Sequence, residues 1–352
     1  MEPKIKAIGV MSGTSLDGVD LAACEFWFTN NQWKFRLIKA FTYNYTDKWS
    51  NKLKSASILS GLELSKLHIE YGQFIGELVN QFIQETGFVP DLVSSHGHTV
   101  FHQPDAGLTL QIGSGAEIAA ITRIKTVCDF RTSDVALGGQ GAPLVPIGDR
   151  LLFGEYNACL NLGGFSNISF EKDQNRVAFD ICPVNILLNH LVSEAGLRYD
   201  KDGNLGKPGQ INFPLLEQLN QLEFYHQLPP KSLGREFLEQ KIVSLFYQSG
   251  LELNDQLRTA YEHIAVQISQ VINQSNFQSV LVTGGGAYNR FLMECLREKS
   301  KTRLIDPKKE LIDFKEALVF AFLGVLRIRE EINCLSSVTG AQSNHCCGTV
   351  YL

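Results

Sequence analysis

Three glycine turns, each following a short apolar strand, present backbone N–H groups suited to gripping an anion. The first is Met11-Ser12-Gly13-Thr14-Ser15-Leu16-Asp17-Gly18, where Ser12, Thr14 and Ser15 add hydroxyls and Gly13 and Gly18 let a ligand approach the backbone. Asp17 is placed to hold Mg²⁺, directly or through water, although Asp-Gly is equally an ordinary hairpin dipeptide. The second turn is Asn161-Leu162-Gly163-Gly164-Phe165-Ser166-Asn167. The third is Val282-Thr283-Gly284-Gly285-Gly286-Ala287-Tyr288-Asn289; it leads into a helical pattern over 291–299, and Asn289 joins its glycines as an expected nucleotide contact. Two hairpin turns and one strand-to-helix turn can surround the phosphates of a nucleotide. The chain therefore reads as a kinase or ATPase with ATP in a cleft between two related halves. No G-x-x-x-x-G-K-[ST] run occurs, and Gly138-Gly139-Gln140-Gly141-Ala142-Pro143 runs into proline rather than a helix. Amides, hydroxyls and a divalent cation are left to carry the phosphate charge.

Asp180 ends the apolar run Val177-Ala178-Phe179 beside the second hairpin. A carboxylate there suits a general base acting on a hydroxyl or water; a helix N-cap is the competing reading. His96-Gly97-His98-Thr99-Val100-Phe101-His102 packs three histidines into seven residues. Zinc is conceivable but lacks a clear fourth ligand, and polar groups lining a sugar pocket, His96 among them, explain the same residues. Arg131 could meet a carboxylate with its bidentate fork or serve in a structural salt bridge.

These residues need elements to hold them. Strands are expected on either side of the first turn, near 35–43, 91–95 and 126–130. A long helix has Leu64, Leu67, Tyr71, Phe74, Leu78 and Phe82 at three- and four-residue steps. The pattern then restarts: strands flank the second turn, a third covers 177–180, helices are expected at 186–195, 237–249 and 257–273, and 280–282 is a strand. An apolar helix spans 317–329. This is a structural repeat, hairpin and third strand followed by alternating helices and strands, with proposed domains at 1–130 and 131–334 and a tail, 335–352, packing back on the first. The Gly-, Asp- and Pro-rich stretch 200–214 reads as a long connection, plain or functional. The 352 residues carry 32 basic and 37 acidic side chains without blocks of either, which argues against a nucleic-acid partner. The longest apolar run, 317–326, is short for a membrane span, and the eight scattered cysteines suggest buried thiols in a reducing cytoplasm. For the adjacent pair Cys346-Cys347 a metal or redox role stays open.

Taken together, the segments resemble the anhydro-N-acetylmuramic acid kinases of bacterial peptidoglycan recycling. The resemblance rests on MSGTSLDGVD at 11–20, SSHGHTVFHQP at 94–104, LQIGSGAEIA at 110–119 and VCDFRTSDVALGGQGAPLVP at 127–146. It continues through NLGGFSN at 161–167, YDKDG at 199–203, PPKSLGRE at 229–236, VTGGGAYN at 282–289 and KEALVFAFLG at 315–324. It implies an α/β, two-domain actin-like (ribonuclease H-like) ATPase fold and a homodimer. It also implies a reaction in which an aspartate, Asp180 by motif, activates water to open a 1,6-anhydro sugar while O6 takes the γ-phosphoryl group of ATP. Phosphate loops fall on Gly13 to Gly18 and Gly163-Gly164, a nucleoside loop on Gly284 to Gly286, and sugar contacts on Thr99, Arg131 and Glu316. Two departures stand out. The family usually reads Phe-Asp-Thr-Gly-Pro-Gly-Asn where this chain has Phe179-Asp180-Ile181-Cys182-Pro183-Val184-Asn185. It also has glutamine at His98 and arginine at Gln103. A kinase for another amino sugar, or a nucleotide- or sugar-binding sensor of the same fold, are the alternatives these changes raise.

Overall fold

Strand β1 (Ile5–Ser12) lies inside a six-stranded sheet, and its alternation decides what covers each face. Ile8 and Val10 point to one side, fully buried with Tyr71, Ile75, Val79 and Phe82 of the helix Gly61–Thr86. That helix is defined locally at both ends. Ser60 and Glu63 form a reciprocal capping box, and Gly87 stops it at φ 67°. Gly9 points to the other side, where the helix Lys309–Ile328 comes so close that a Cβ on Gly9 would stand 1.8 Å from Ala317 O.

The computed structural model describes residues 3–13 and 16–352. In the first compact unit, Met1–Leu152 with Phe314–Leu352, β1 pairs antiparallel with β2 (Gly18–Thr29), which pairs antiparallel with β3 (Gln32–Asn44). On its other edge β1 pairs parallel with β4 (Leu92–Ser95). A separate ribbon joins β5 (His98–Gln103) to β6 (Leu108–Ile112). Strand β7 (Thr126–Cys128) lies parallel to β4, and the C-terminal strand Thr349–Tyr351 adds antiparallel to β7. The second unit, Phe153–Asp313, repeats the scheme. Strands β8 (Ala158–Leu162), β9 (Phe165–Lys172) and β10 (Asn175–Pro183) form antiparallel pairs, while β11 (Ser279–Thr283) and β12 (Arg303–Ile305) continue parallel from β8. Helices Asn185–Ser193, Leu253–Gln274 and Arg290–Lys299 cover this sheet with Leu187, Leu191, Tyr261, Ile264, Ile268, Leu292 and Leu296. The same strand order twice, two antiparallel hairpin steps and then two parallel strands, is the actin-like α/β arrangement.

The units divide at 152/153 and 313/314, whereas the sequence boundaries were drawn at 130/131 and 334/335. The helix Lys309–Ile328 changes unit at a kink, where Phe314 leaves helical geometry (φ −117°, ψ 15°), and its remainder belongs with β1. Residues 131–152 also join the first unit; there the buried Asp149 makes a 2.6 Å ion pair with Lys315. The single helix expected over 237–249 proves to be mixed, with π-helical turns over Leu238–Val243. The 200–214 connection is ordered around one buried carboxylate. Asp200 accepts from Leu205 N at 2.9 Å, Gly206 N at 3.1 Å and the Tyr261 hydroxyl at 3.0 Å.

Gly9→Ala tests the helix contact. The new methyl meets backbone rather than a flexible side chain, so the helix must move. We expect destabilisation at or above the upper end of the roughly 1–3 kcal/mol that overpacking costs, read from urea unfolding. A loss below about 0.5 kcal/mol, the range of neutral surface changes, would show that the contact is not tight.

Candidate functional site

The second unit brings two of the three glycine turns together. Gly284 has φ 85°, and a Cβ on it would come within 2.4 Å of Asn161 Oδ1 and 2.8 Å of Leu162 C. Only glycine allows this approach. Asn185 locks the contact from the start of its helix, its Nδ2 donating to Leu162 O at 3.0 Å and Gly163 O at 2.8 Å. Backbone bonds from Val184 and Ile186 N to Gly164 O complete the seat. Gly163, Gly164, Gly284, Gly285 and Gly286 are thus neighbours, with a helix N-terminus against them. Asn289 has another task. Its Oδ1 caps the Arg290–Lys299 helix at Leu292 N and its Nδ2 donates to the Tyr261 hydroxyl at 2.7 Å.

Asp180 lies in β10 next to a bulge. It pairs with Asn167, Cys182 pairs with Ser166, and Ile181 is the extra residue. The N-cap reading fails, because the following helix is capped at Val184, four residues on. Instead Asp180 N donates to Lys231 O at 3.1 Å and Asp180 Oδ2 accepts from Leu233 N at 2.8 Å. Its other oxygen has no hydrogen-bond partner among the described residues. The carboxyl is partly buried, and burial raises its pKa above the ordinary aspartate value against the pull of the Leu233 N–H. A fixed, half-open carboxylate of raised basicity is what general-base work needs. In the sequence, 231–233 figures only as part of the 229–236 run that carries the resemblance, with no contact to Asp180 expected, since a backbone donor leaves no side-chain signal.

The first unit holds the remaining candidates. The hairpin after β1 carries Gly13 and an exposed Asp17; Thr14 and Ser15 lie outside the described residues. Ser12 is turned inward, sharing hydrogen bonds with the Tyr45 and Tyr71 hydroxyls at 2.7 Å and with His98 Nδ1 at 3.3 Å. Any contact of Ser12 or Asn289 with a nucleotide therefore falls to backbone. Gly18 is buried against β3.

Among the described residues Arg131 forms no ion pair with a carboxylate. Its Nε and Nη2 both donate to His96 Nε2, at 3.1 and 2.9 Å, and Nη1 donates to Gly141 O at 2.8 Å. His96 Nδ1 bonds Gly97 O at 2.9 Å, and the imidazole is held neutral, its pKa pushed down to about 3 by burial and by Arg131. Two of the guanidinium's five N–H donors are left for another acceptor. Phe320 stacks its ring 4.7 Å from His96. One turn earlier on that helix, Glu316 is exposed at its own surface yet hemmed by protein, so its carboxyl is raised by desolvation while Lys315 and Arg131 pull it down. Thr99, partly buried in β5, lies opposite Gln111. The three histidines do not form a metal centre. Each takes a different partner, His102 bonding Thr109 Oγ1 at 3.2 Å, and among the described residues they do not gather their ring nitrogens.

No helix among the described residues is long and apolar enough to cross a membrane. The sequence profile of the family described as anhydro-N-acetylmuramic acid kinase matches residues 5–352. A kinase of that name from Sulfurovum sp. (strain NBC37-1) is 34% identical, covering 99% of each chain. Another, from Mannheimia succiniciproducens, is 36% identical over 98% of each. Among solved structures, the activator of the 2-hydroxyisocaproyl-CoA dehydratase from Clostridium difficile with bound ADPNP aligns over 92% of this chain and 97% of its own. Its TM-score is 0.44 at 12% identity. With glycine turns, aspartate and arginine in place and the match running through both units, the chain belongs to the anhydro-N-acetylmuramic acid kinase family.

Proposed function

We propose that this enzyme uses ATP to open 1,6-anhydro-N-acetylmuramic acid and phosphorylate it at O6, giving N-acetylmuramic acid 6-phosphate and ADP in peptidoglycan recycling. Asp180 takes a proton from water, the water oxygen bonds to C1, the C1–O6 bond breaks, and O6 takes the γ-phosphoryl group. The observation that carries this reading is the Asp180 carboxylate, held through one oxygen by Leu233 N–H and left with its other oxygen to receive a proton. The paired turns Gly163-Gly164 and Gly284 to Gly286 offer amides and close backbone approach to the nucleotide, as does the hairpin at Gly13. The exposed carboxylate of Asp17 suits the Mg²⁺ that accompanies ATP, and that cation would supply charge neutralisation at the phosphates.

In the first unit Arg131 presents its two remaining N–H donors to the lactyl carboxylate of the sugar. The neutral His96 matters here, because it orients the guanidinium without cancelling or adding charge. Thr99 and Glu316 supply hydrogen-bonding groups to the sugar hydroxyls. We place the enzyme in the cytoplasm, as a homodimer. The changes at 181, 182 and 184 do not favour a different substrate: all three side chains are buried in the core of the second unit.

Incubation with ATP, Mg²⁺ and the anhydro sugar in ¹⁸O-water is expected to give a 6-phosphate labelled at C1. Asp180→Asn is expected to lower kcat roughly 10²–10⁴-fold with unchanged thermal melting. An unlabelled product would mean simple phosphoryl transfer without hydrolysis, and an active Asp180→Asn would remove the base assigned here.

The pH profile gives an independent check. Asp180 must be unprotonated to act, and its pKa lies above 3.8. Activity therefore drops as pH falls through that raised value, and the acid limb of kcat/KM, which reports the free enzyme, sits above the position of an ordinary aspartate. A limb at or below 3.8 in a protein still folded there would contradict the assignment.

A further inference from the structure

The C-terminal segment builds a cluster that the kinase chemistry does not use. Asn333 N and Cys334 N both donate to His345 O at 3.1 Å, and His345 N returns a bond to Cys334 O at 3.2 Å. This short antiparallel bridge sets Cys334 and His345 side by side. Asn333, fully buried, draws in the next strand by accepting from Cys347 N at 2.7 Å and donating to Cys347 O at 2.9 Å. As a result Cys334 Sγ, a ring nitrogen of His345 and Cys347 Sγ all lie within 4.8 Å of one another. Asp134, with no exposed surface, approaches from the Thr132–Ala136 helix, its Oδ1 3.0 Å from Cys334 Sγ and 3.5 Å from His345 Nε2.

The tautomer of His345 is the informative detail. Its Nδ1 is 3.0 Å from Ser343 O, a carbonyl that can only accept, so the proton resides on Nδ1. In the neutral ring Nε2 then carries a lone pair; it is enclosed with no hydrogen-bond partner, and Asp134 Oδ1 at 3.5 Å pairs with it only in the protonated ring. A buried acceptor facing a carboxylate oxygen and two thiols is costly unless something positive lies among them. An imidazole oriented by an Nδ1–H to a backbone carbonyl, with Nε2 aimed at soft donors, is the usual preparation of a metal ligand.

We propose that Cys334, His345 and Cys347, with Asp134 as fourth donor, form a structural site for a borderline-soft divalent cation, Zn²⁺ by preference. Two sulfurs, an imidazole nitrogen and a carboxylate oxygen are donors that zinc accepts in tetrahedral geometry, with bonds of roughly 2.0–2.3 Å. Binding forms two S–Zn bonds, one N–Zn bond and one O–Zn bond from Asp134, and the two thiol protons go to solvent. Cys334 then no longer donates to Asp134 Oδ1, which becomes available to the ion, while Thr339 Oγ1 at 2.7 Å and Gly141 N at 2.6 Å hold the carboxylate in place. The site clips the tail to the Thr132–Ala136 helix. Because Gly141 also receives Arg131 Nη1 through its carbonyl, the clip steadies the backbone that Arg131 grips. Cys346, half-buried next to Cys347, takes no part; the adjacent pair visible in the sequence is split, one sulfur inward and one outside the cluster.

The test uses the full chain without a histidine tag, isolated without chelator, and reads metal content by mass spectrometry. About one zinc per chain is expected, with a chelator-sensitive rise in melting temperature. Cobalt added to the stripped protein is expected to give intense tetrahedral d–d bands and a thiolate-to-cobalt charge-transfer band. Cys334→Ser and Cys347→Ser are each expected to hold less than about one tenth of the wild-type metal, while Cys346→Ser keeps it. If these variants fail to fold, the cobalt spectrum of the wild type decides alone. Absence of stoichiometric metal with a pale octahedral cobalt spectrum, full metal retention in folded Cys347→Ser, or a Cys334–Cys347 disulfide in the native protein each overturns the proposal. None of these results depends on the kinase reading.

Discussion

The closest approach in the first unit is between β1 and the helix Lys309–Ile328 at Gly9, and much of the site depends on it. With no side chain at Gly9, Ala317 O reaches the strand, and the helix lies flat enough for Ser94 to donate to Phe320 O at 2.5 Å. That seating puts the Phe320 ring against His96, and His96 is the acceptor that turns the Arg131 fork. Glu316 is carried on the same helix within electrostatic reach of Arg131. One missing methyl group on a strand thus sets the depth at which three polar side chains meet. The small residues Ala317 and Ala321 face the same contact, so size rather than polarity is what the sequence must conserve along this stripe for the geometry to hold.

The second unit applies the same device differently. There the close approach is between two turns, Gly284 against Asn161 and Leu162, and hydrogen bonds rather than helix packing hold it. Asn185 does the holding with one amide group spread over two carbonyls. The Leu162, Gly163 and Gly164 carbonyls are already occupied, which limits how these turns can rearrange. Preorganisation of this kind costs nothing further when an anion arrives. Asp180 is fixed in the same manner, by a peptide N–H from a distant loop, so this carboxylate and the glycine turns belong to one hydrogen-bonded frame within the unit.

Which parts of this were legible in the sequence follows from what each depended on. The glycine turns, the Gly61–Thr86 helix and the repeat were readable because local pattern decides them: alternation in strands, three- and four-residue steps in helices, and a capping box at Ser60. The role of Asp180 was open between base and cap; the distance to Val184 removes the cap, and neither that distance nor the Leu233 N–H that holds the carboxylate is encoded by residue type. For Arg131 a carboxylate and a structural salt bridge were both open; within the protein its fork is held by the His96 imidazole, an acceptor that matching by charge does not single out. The domain boundaries were drawn from the repeat of the strand and helix pattern, but the helix Lys309–Ile328 crosses from one unit to the other within a single helical pattern; only the Phe314 kink marks the place. Ser12 and Asn289 have the right chemistry for a ligand and spend it on Tyr45, Tyr71, Tyr261 and a helix end.

The departure from the family pattern after Asp180 falls on side chains that the structure turns into the core. In a regular strand, successive side chains face opposite ways, and replacing two small residues by Ile181 and Cys182 would push one of them toward the solvent side. The bulge at Ile181 breaks that alternation, and both side chains enter the core, at 2% and 0% exposure. Ser166 then ties the turn from within, accepting from Cys182 N at 3.2 Å and donating to Cys182 O at 3.0 Å. Val184 is equally interior, packed with Leu187 and Leu188. The larger side chains therefore fill the core under the strand end, while what the strand presents outward is still Asp180 and its backbone. A change that looks, in one dimension, like the loss of a hydroxyl and two glycines beside a base is in three dimensions an exchange of core volume behind it.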